Sequence, residues 1–196
     1  MKNKTLNYVV KVAMLSAVAV LIMQLKFPVP FAPPFYKLEF SDLPALIGAF
    51  ALGPLAGVLI EAVKVLLNLV IDGTGTMFVG EAANFIFGCA YILPAAFIYK
   101  KYHSKRGALV GVIFSTLSIC VVGCVANAYA LLPFYAYLYK MPMDALIAMG
   151  TKVNGNINGL FTFVMLAVLP LNLIKGAVTS LISVLIYKPL SPLLKR

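Results

Sequence analysis

Long apolar runs, separated only by short polar breaks, dominate the chain. Its mean hydropathy is +0.99 and 62% of its residues are hydrophobic, which is more apolar surface than a soluble fold of 196 residues hides. The runs are continuous rather than alternating, and backbone polar groups in lipid must bond locally, so the pattern predicts helices and not a barrel. The length suits about six spans of roughly 20 residues each. We therefore predict an all-α integral membrane protein, with one six-transmembrane-helix bundle as a single domain over residues 1–196.

Proline and glycine residues set the boundaries between the predicted spans. Four prolines between residues 28 and 34 exclude a helix there, and the aromatic, apolar character of segment 26–36 predicts an ordered loop rather than a solvated linker. Gly53-Pro54 separates a short second span from the third. A glycine-rich turn ends the third span, and a basic loop ends the fourth. Pro133 predicts a kink in the fifth span, and residues 141–158 form a polar loop with room for a short helix. The predicted spans are 7–24, 43–52, 55–71, 80–99, 107–139 and 160–187.

The lysines and arginines predict the orientation of the bundle. If the N-terminus is inside, ten of them fall on the inner side: Lys2, Lys4, Lys11, Lys100, Lys101, Lys105, Arg106, Lys188, Lys195 and Arg196. Four fall on the outer side: Lys26, Lys37, Lys140 and Lys152. Because basic residues concentrate in cytoplasmic loops, this asymmetry predicts that both termini are cytoplasmic. Of the six acidic residues, only Glu61 does not fall on the outer half.

The sequence lacks the motifs of catalysis. Its single histidine, His103, lies in the basic loop, and no metalloprotease, serine-hydrolase or phosphate-loop pattern occurs. Cys89, Cys120 and Cys124 lie in apolar spans without metal-ligand spacing, so we expect free thiols and no metal or redox site. The net charge of +10 comes from short clusters next to spans, so we expect no nucleic-acid partner. The first apolar run lacks a cleavage site, and we interpret it as a retained helix.

The segment Lys37–Gly48, with the sequence KLEFSDLPALIG, is the most informative polar stretch. Two of the chain's six acidic residues, Glu39 and Asp42, lie in it, at the start of an apolar run. Ser41 or Asp42 is placed to cap a helix whose first turn holds Pro44. Charged groups are costly next to lipid, so these carboxylates require a partner or a ligand.

Polar residues inside the spans form three pairs in which the members are three positions apart. The pairs are Glu61 with Lys64, Glu81 with Asn84, and Asn172 with Lys175. Residues three apart share a helix face, so each pair points toward one neighbouring helix or one cavity. For Glu61 and Lys64 we favour ion pairing between helices.

A ligand is the favoured partner for Asn127, Asn172 and Lys175. They lie on the outer halves of their spans, near the polar loops. The same end of the fifth span is crowded with tyrosines: Tyr129, Tyr135, Tyr137 and Tyr139. Amides, a cation and aromatic walls suit a flat polar heterocycle that carries hydroxyls. Hydrogen bonding between helices is the alternative for these side chains.

Taken together, these residues resemble the substrate-binding S components of energy-coupling-factor (ECF) vitamin transporters, in the riboflavin-specific branch. The resemblance covers the whole chain in length, span count and topology. Its sharpest parts are the segments 38–48, 53–57, 80–85 and 172–176. The absence of tryptophan favours a flavin over the vitamins that other branches stack on that residue.

The resemblance implies a bundle in the bacterial cell membrane whose pocket opens outward beneath the loop between the first two spans. It implies that Ala13 and Ala17, four positions apart on the first span, dock a transmembrane coupling subunit bound to two cytoplasmic ATPases. In that family the S component topples in the membrane, and ATP hydrolysis by its partners resets it. The set of substrate-binding residues expected from the pattern and the resemblance is Leu38, Glu39, Phe40, Asp42, Thr74, Thr76, Glu81, Asn84, Asn127, Tyr135, Asn172 and Lys175.

The resemblance predicts high-affinity binding and uptake of riboflavin, with FMN as a further candidate, no covalent chemistry and no cofactor. The residues alone leave other functions open. An S component for another vitamin fits them, as does a small carrier driven by an ion gradient with Glu61 or Glu81 as a proton site. A membrane-embedded enzyme is the third class, and its only basis is a lysine–carboxylate pair. Asp42 also has an alternative role, capping the second span without touching a ligand.

Overall fold

The computed structural model describes residues 2–195, with side chains described for residues 4–187. Helices make up most of the chain, joined by short segments and one small two-stranded ribbon. The elements are α1 (Lys2–Met23), β1 (Phe27–Pro28), β2 (Lys37–Leu38), α2 (Asp42–Leu52), α3 (Pro54–Asp72), α4 (Val79–Tyr102), α5 (Lys105–Ala126), α6 (Leu132–Leu138), α7 (Met143–Val153), α8 (Leu160–Phe163) and α9 (Leu169–Lys195).

Five helical segments within the described residues are long and apolar enough to cross a membrane. They cover residues 4–23, 54–72, 79–102, 105–138 and 160–187. The predicted class of a helical membrane protein is therefore confirmed, with one short β-ribbon in the loop between α1 and α2. The second predicted span is α2, an apolar helix of only 11 residues, and the short helix expected between residues 141 and 158 is α7.

The boundary between α2 and α3 follows from two adjacent residues. Gly53 has φ of 103°, a backbone conformation that side chains with a Cβ rarely adopt. Pro54 then begins α3, at a position where its missing N–H costs no helical hydrogen bond. The chain reverses direction here within a single residue, and α2 and α3 pack side by side.

Two wide helical turns interrupt the long helices. The π-helical turn Asn127–Leu131 joins α5 to α6, and a second one, Val164–Val168, joins α8 to α9. Each ends two residues before a proline, Pro133 or Pro170. A proline removes one helical hydrogen bond and crowds the carbonyl four residues earlier, which a wider turn accommodates. The irregularity expected at Pro133 therefore takes the form of a π turn that contains Asn127.

The proline-rich segment 24–41 is an ordered loop that lies against the helix ends. Phe27–Pro28 pairs antiparallel with Lys37–Leu38. Lys26 forms an ion pair of 2.7 Å with Asp72 at the end of α3, which ties the loop to the bundle. We call this end of the molecule, with segments 24–41, 73–78 and 139–159, the loop end. The opposite end holds residues 100–106 and is called the basic end.

Apolar packing is arranged in two clusters along the bundle. The larger cluster joins α1–α5 and includes Leu46, Ile60 and Ile92, each buried. The smaller one lies at the loop end, where Ala32 of the loop packs with Phe163 and Val168. Close packing of this kind holds helices together in lipid, where burial of apolar surface drives association weakly. The loop is thus part of the packed structure and covers one end of it.

Candidate functional site

A cavity of about 540 Å³ lies at the loop end, between the loop, α4, the first π turn, α6, α7 and α9. Its volume is in the range of small-molecule sites. Apolar and aromatic side chains make most of the wall, with a few polar groups between them. The lining residues are Phe35, Tyr36, Lys37, Glu39, Thr76, Gly80, Ala83, Asn84, Phe87, Asn127, Leu131, Tyr135, Tyr139, Met141, Leu146, Met149, Val168, Leu171, Asn172 and Lys175.

Lys175 is the main cation of the cavity, and two carboxylates hold it in place. Its Nζ lies 2.6 Å from Oε1 of Glu39 and 2.8 Å from Oδ2 of Asp42. Glu39 comes from the loop, Asp42 from α2 and Lys175 from α9, so the pairs join three separate parts of the fold. Lys175 is 14% exposed. An ammonium in this position is fixed, neutralised and still reachable from the cavity.

Behind Lys175 the ion pairs continue into the closed interior. The other oxygen of Asp42, Oδ1, lies 2.8 Å from Nζ of Lys64, and Lys64 lies 2.6 Å from Oε2 of Glu61. Lys64 and Glu61 are fully buried. Ion pairing between helices was expected for Glu61 and Lys64. Lys64 makes such a pair with Asp42 of α2, whereas Glu61 pairs with Lys64 within α3. We call these five residues, Glu39, Asp42, Glu61, Lys64 and Lys175, the ion-pair chain.

Capping of α2 by Ser41 or Asp42 was expected, and the structure differs. Ser41 makes no side-chain hydrogen bond to the helix, and Asp42 is the first helical residue. The Asp42 carboxylate instead faces the two lysines, because an ion pair to a buried ammonium stabilises it more than a backbone N–H does. The helix entry is held by Glu39, whose Oε2 accepts a hydrogen bond of 2.7 Å from the backbone N–H of Ser41.

Glu39 has an electrostatic environment that favours its charged form. Burial alone would raise the pKa of this carboxyl, but the ammonium of Lys175 outweighs the effect of burial and holds the pKa below its usual value. Glu39 is therefore ionised at neutral pH. The loop end of the ion-pair chain is thus a stable Glu39–Lys175 pair on the cavity wall.

Three amide side chains line the cavity: Asn84 of α4, Asn127 of the first π turn and Asn172 of α9. Nδ2 of Asn127 donates to the Gly123 carbonyl at 2.7 Å, and Nδ2 of Asn172 donates to the Val168 carbonyl at 3.0 Å. Among the hydrogen bonds of residues 4–187, the buried Oδ1 of Asn84 has no donor. A buried acceptor without a partner is costly, so it favours a ligand that brings an N–H or O–H.

Tyr36 of the loop was missed by reasoning from sequence. Its hydroxyl donates a hydrogen bond of 2.5 Å to Oδ1 of Asn127, and its ring packs 6.2 Å from the Phe163 ring. Burial raises the pKa of the Tyr36 hydroxyl, which therefore stays protonated and acts as a donor. The only indication in the sequence was the concentration of aromatic residues in a proline-rich segment. That pattern predicted an ordered loop, but it did not identify Asn127 as the partner of Tyr36.

The predicted substrate-binding residues divide into two groups in the structure. Seven of them line the cavity: Glu39, Thr76, Asn84, Asn127, Tyr135, Asn172 and Lys175. Five others lie outside its lining: Leu38, Phe40, Asp42, Thr74 and Glu81. Leu38 is in the ribbon and Phe40 packs against Phe27, with the ring centroids 6.5 Å apart. Asp42 reaches the cavity only through Lys175.

Thr74 and Glu81 have a local structural role. Thr74 Oγ1 accepts a hydrogen bond of 2.9 Å from the Phe78 N–H and donates to Oε2 of Glu81 at 3.1 Å. Thr76 Oγ1 accepts from the Gly80 N–H at 2.9 Å. These bonds order the turn that precedes α4, where backbone N–H groups lack helical partners. Of the three side chains Thr74, Thr76 and Glu81, only that of Thr76 also lines the cavity.

The four tyrosines near residue 130 were expected to lie around one pocket, but only two of them do. Tyr135 and Tyr139 line the cavity. Tyr129 and Tyr137 are 83% and 81% exposed and point away from the bundle. The π turn sets the rotation of the helix at this place, which local sequence spacing did not predict.

Ala13 and Ala17 lie on the outer face of α1. Both are exposed, whereas Val12, Ser16 and Ala19 on the opposite face are buried in the bundle. The small-residue stripe is therefore not used for packing within the chain, and it presents a flat surface to the surroundings.

Residues 7–187 match the family described as ECF transporter, substrate-specific component. The chain belongs to this family. It is 36% identical to the riboflavin transporter RibU of Staphylococcus aureus (strain TCH60) over 195 residues, which are 100% of this chain and 94% of that protein. It is 37% identical to the riboflavin transporter FmnP of Bacillus subtilis (strain 168) over 184 residues, which are 93% and 91% of the two chains.

A solved structure of the S component of a bacterial ECF transporter has the same fold. The TM-score is 0.75 at 34% sequence identity, and the match covers 100% of both chains. The protein is thus an S component, a multi-pass protein of a bacterial membrane and a transport protein rather than an enzyme.

Proposed function

We propose that this S component captures riboflavin in the loop-end cavity and supplies it to an ECF transporter. The observation that carries the proposal is the polar set of the cavity. Asn84, Asn127 and Asn172 and the Glu39–Lys175 pair meet around one space of about 540 Å³. The relatives that are 36% and 37% identical over nearly the full chain are riboflavin transporters.

The chemistry of riboflavin matches these walls. Its isoalloxazine ring has apolar faces, an imide N–H and several acceptor atoms on its edge, and the ribityl chain adds hydroxyls. Phe87, Leu131 and Leu171 offer apolar surface to a flat ring. The free Oδ1 of Asn84 accepts from an N–H or O–H, and Lys175 donates to an acceptor oxygen. Directed polar groups in an apolar cavity give specificity because an unmatched ligand leaves them unpaired.

FMN is the second ligand to be tested at the same site. Lys175 is already neutralised by two carboxylates, and Lys37 of the loop is the other cation of the lining. Comparison of riboflavin with FMN in one assay decides whether the phosphate is accepted.

The orientation and the span count belong to the same proposal. We place α2 as the sixth membrane segment, next to the five long helices, in a single substrate-binding domain over residues 1–196. The excess of lysine and arginine at the basic end supports cytoplasmic termini. The cavity at the loop end then faces the outside, from which the vitamin arrives.

The energising partners are a transmembrane coupling subunit and two cytoplasmic ATPases. The exposed stripe of Ala13 and Ala17 supports docking of the coupling subunit on α1, because small residues allow two helices to approach closely. Substitution Ala17→Trp should leave riboflavin binding intact and abolish uptake by the assembled transporter. Val121→Trp, at an apolar position of α5 that is 63% exposed, is the matched control and should affect neither.

The decisive experiment is a titration of the detergent-purified protein with riboflavin, followed by quenching of flavin fluorescence. Tight stoichiometric quenching is expected, and a yellow preparation would show that the vitamin is retained during purification. Thiamin and pantothenate serve as control ligands and should not compete. A folded protein that ignores riboflavin would contradict the proposal and direct the search to other vitamins.

A further inference from the structure

A second cavity, of about 670 Å³, lies far from the vitamin site. It is formed by the end of α2, the start of α3 and the C-terminal half of α4. The loop-end cavity contacts the first half of α4, so the two cavities lie at opposite ends of this helix. Nothing in the proposed vitamin-binding function uses this second space, which we call the basic-end cavity.

The lengths of neighbouring helices create the cavity. α3 has 19 residues and α4 has 24, and a short segment, 73–78, joins them at the loop end. At 1.5 Å per residue, α4 therefore extends about 7 Å further toward the basic end. The tight turn at Gly53 and Pro54, which begins α3, therefore lies beside α4 and does not reach the end of that helix. A notch remains between this turn and the last turns of α4, and Leu93, Phe97 and Lys100 line it.

The walls of the cavity are apolar and adjoin the lipid-facing surface. Leu55 and Phe97 line it and are 66% and 58% exposed, and Val58 completes this side. Water in such a notch would be surrounded by apolar side chains and lipid tails without hydrogen-bond partners. An acyl chain matches this chemistry, because it makes the van der Waals contacts that the apolar side chains of an empty notch would lack.

The rim of the cavity is cationic. Among the residues with described side chains, 4–187, Lys100 and His103 are the only lining residues with ionisable nitrogens, and they lie three positions apart at the end of α4. They belong to the segment 100–106, which also holds Lys101, Lys105 and Arg106 and contains no acidic residue. Within residues 4–187, no ion pair with a carboxylate involves any of these cations. The rim therefore favours an anion from outside the chain.

We propose that the basic-end cavity is a binding site for an anionic phospholipid. One acyl chain lies against Leu55, Val58 and Phe97, and the headgroup phosphate binds at Lys100 and His103. Basic pockets between membrane helices recognise anionic headgroups in this way. The backbone of His103, with φ of 41°, turns the chain at the rim, three positions after Lys100. The lipid braces the α2–α3 turn against α4 at the end away from the vitamin.

The experiment compares lipids that differ only in headgroup charge. The purified full-length protein is titrated with dioleoyl phosphatidylglycerol and with dioleoyl phosphatidylcholine, and bound lipid is counted by native mass spectrometry. Phosphatidylglycerol should be retained preferentially in a one-to-one complex and should raise the thermal unfolding midpoint. Equal retention of the two lipids would overturn the proposal.

Two charge-matched variants separate a built site from general attraction of lipid to a basic surface. K100Q removes a cation that lines the cavity, and K101Q removes the neighbouring cation that does not. The K100Q variant should bind phosphatidylglycerol about fivefold more weakly, and K101Q should bind as the unaltered protein does. Equal losses in both variants would show diffuse electrostatic attraction and contradict the proposal.

A third variant tests the acyl half of the site. V58F fills part of the notch and should weaken retention of phosphatidylglycerol while riboflavin binding, at the other end of the molecule, stays unchanged and reports that the variant is folded. If V58F or K100Q impaired assembly with the coupling subunit but left lipid retention unchanged, the cavity would be a protein-docking surface and the lipid proposal would be wrong.

Discussion

Two lysines share the carboxylate of Asp42, yet they lie in very different surroundings. Lys64 is completely buried between Asp42 of α2 and Glu61 on its own helix. Lys175 is 14% exposed, and its second partner, Glu39, comes from the loop over the cavity. One half of the ion-pair chain is therefore closed and held by helices, and the other half is open and held partly by a loop.

The difference separates a structural ion pair from one that is available to a ligand. The buried ammonium of Lys64 stabilises the fold by neutralising the carboxylates around it, and its removal leaves Glu61 without an ion-pair partner and Asp42 with Lys175 alone. An ammonium on a cavity wall also offers a donor to whatever enters. Similar lysine–carboxylate pairs thus support the fold at Lys64 and, in the proposed function, the vitamin site at Lys175.

The largest effect is expected for Lys64→Met. It leaves Asp42 and Glu61 facing each other in the interior without their shared cation, at a cost of about 3–5 kcal/mol in the free energy of unfolding. Thermal unfolding of the purified protein measures the loss. The double variant Glu61→Gln/Lys64→Met should recover part of it, because one unpaired charge is then removed. A single variant as stable as the unaltered protein would show that Lys64 has no structural role.

Lys175→Met should mainly affect affinity. Loss of a charge-assisted hydrogen bond costs about 1.5–3 kcal/mol, or roughly 10- to 150-fold in the dissociation constant of riboflavin. The unfolding midpoint should fall less than in Lys64→Met. Lys152→Met, at an exposed position of α7, is the control and should leave affinity unchanged. If Lys175→Met binds riboflavin with undiminished affinity, Lys175 is not part of the site, and the proposed difference in role between Lys64 and Lys175 is wrong.

Tyr36→Phe tests the part that the loop plays in the open half. The substitution removes the hydroxyl that bonds Oδ1 of Asn127 and keeps the ring. The loss of one neutral hydrogen bond is expected to weaken riboflavin binding by about 0.5–1.5 kcal/mol, or roughly 2- to 13-fold. Tyr137→Phe is the matched control, because Tyr137 is 81% exposed. If both variants bind equally well, the Tyr36 bond to Asn127 does not position the amide.

The smallest effect is expected from pH acting on Glu39. The pKa of Glu39 is lower in the folded protein than in the unfolded chain, so the unfolded chain binds more protons in acid. The stabilisation from Glu39 is complete above the usual carboxyl pKa, about 4.3, and is lost as pH falls through the lower folded value. The unfolding midpoint, followed from pH 7 downward, should decline less steeply in Glu39→Gln. Parallel curves would show that the Glu39–Lys175 pair adds no stability.

Local patterns in the sequence were sufficient to predict several features of the fold. The apolar runs predicted the membrane helices, the break at Gly53-Pro54 predicted the boundary between α2 and α3, and the prolines between residues 28 and 34 predicted an ordered loop. These features depend on residues that are close together in sequence. Hydropathy, missing N–H groups and permitted backbone angles act over a few residues, so the sequence alone carries them.

The candidate site was only partly predictable, because its geometry depends on helix rotation. The pair of Asn172 and Lys175 predicted a common face, and both line the cavity. Tyr129 and Tyr137 were expected in the same place and point outward. Thr74 and Glu81 were interpreted as ligand contacts, and their hydrogen bonds order the turn before α4. Short polar residues near a pocket suit both roles, and the spacing along the chain does not distinguish them.

The sequence by itself determined that this chain is a membrane protein, which segments form its long helices, and which few polar residues require partners, since lipid penalises every unpaired charge wherever it lies. Only the tertiary structure decided how those residues pair. Asp42 lies between Lys64 and Lys175 because α2, α3 and α9 pack at one level, and Tyr36 reaches Asn127, 91 positions away, because the loop folds back over the bundle. Contacts between distant segments arise from packing, and packing leaves no local pattern in the chain.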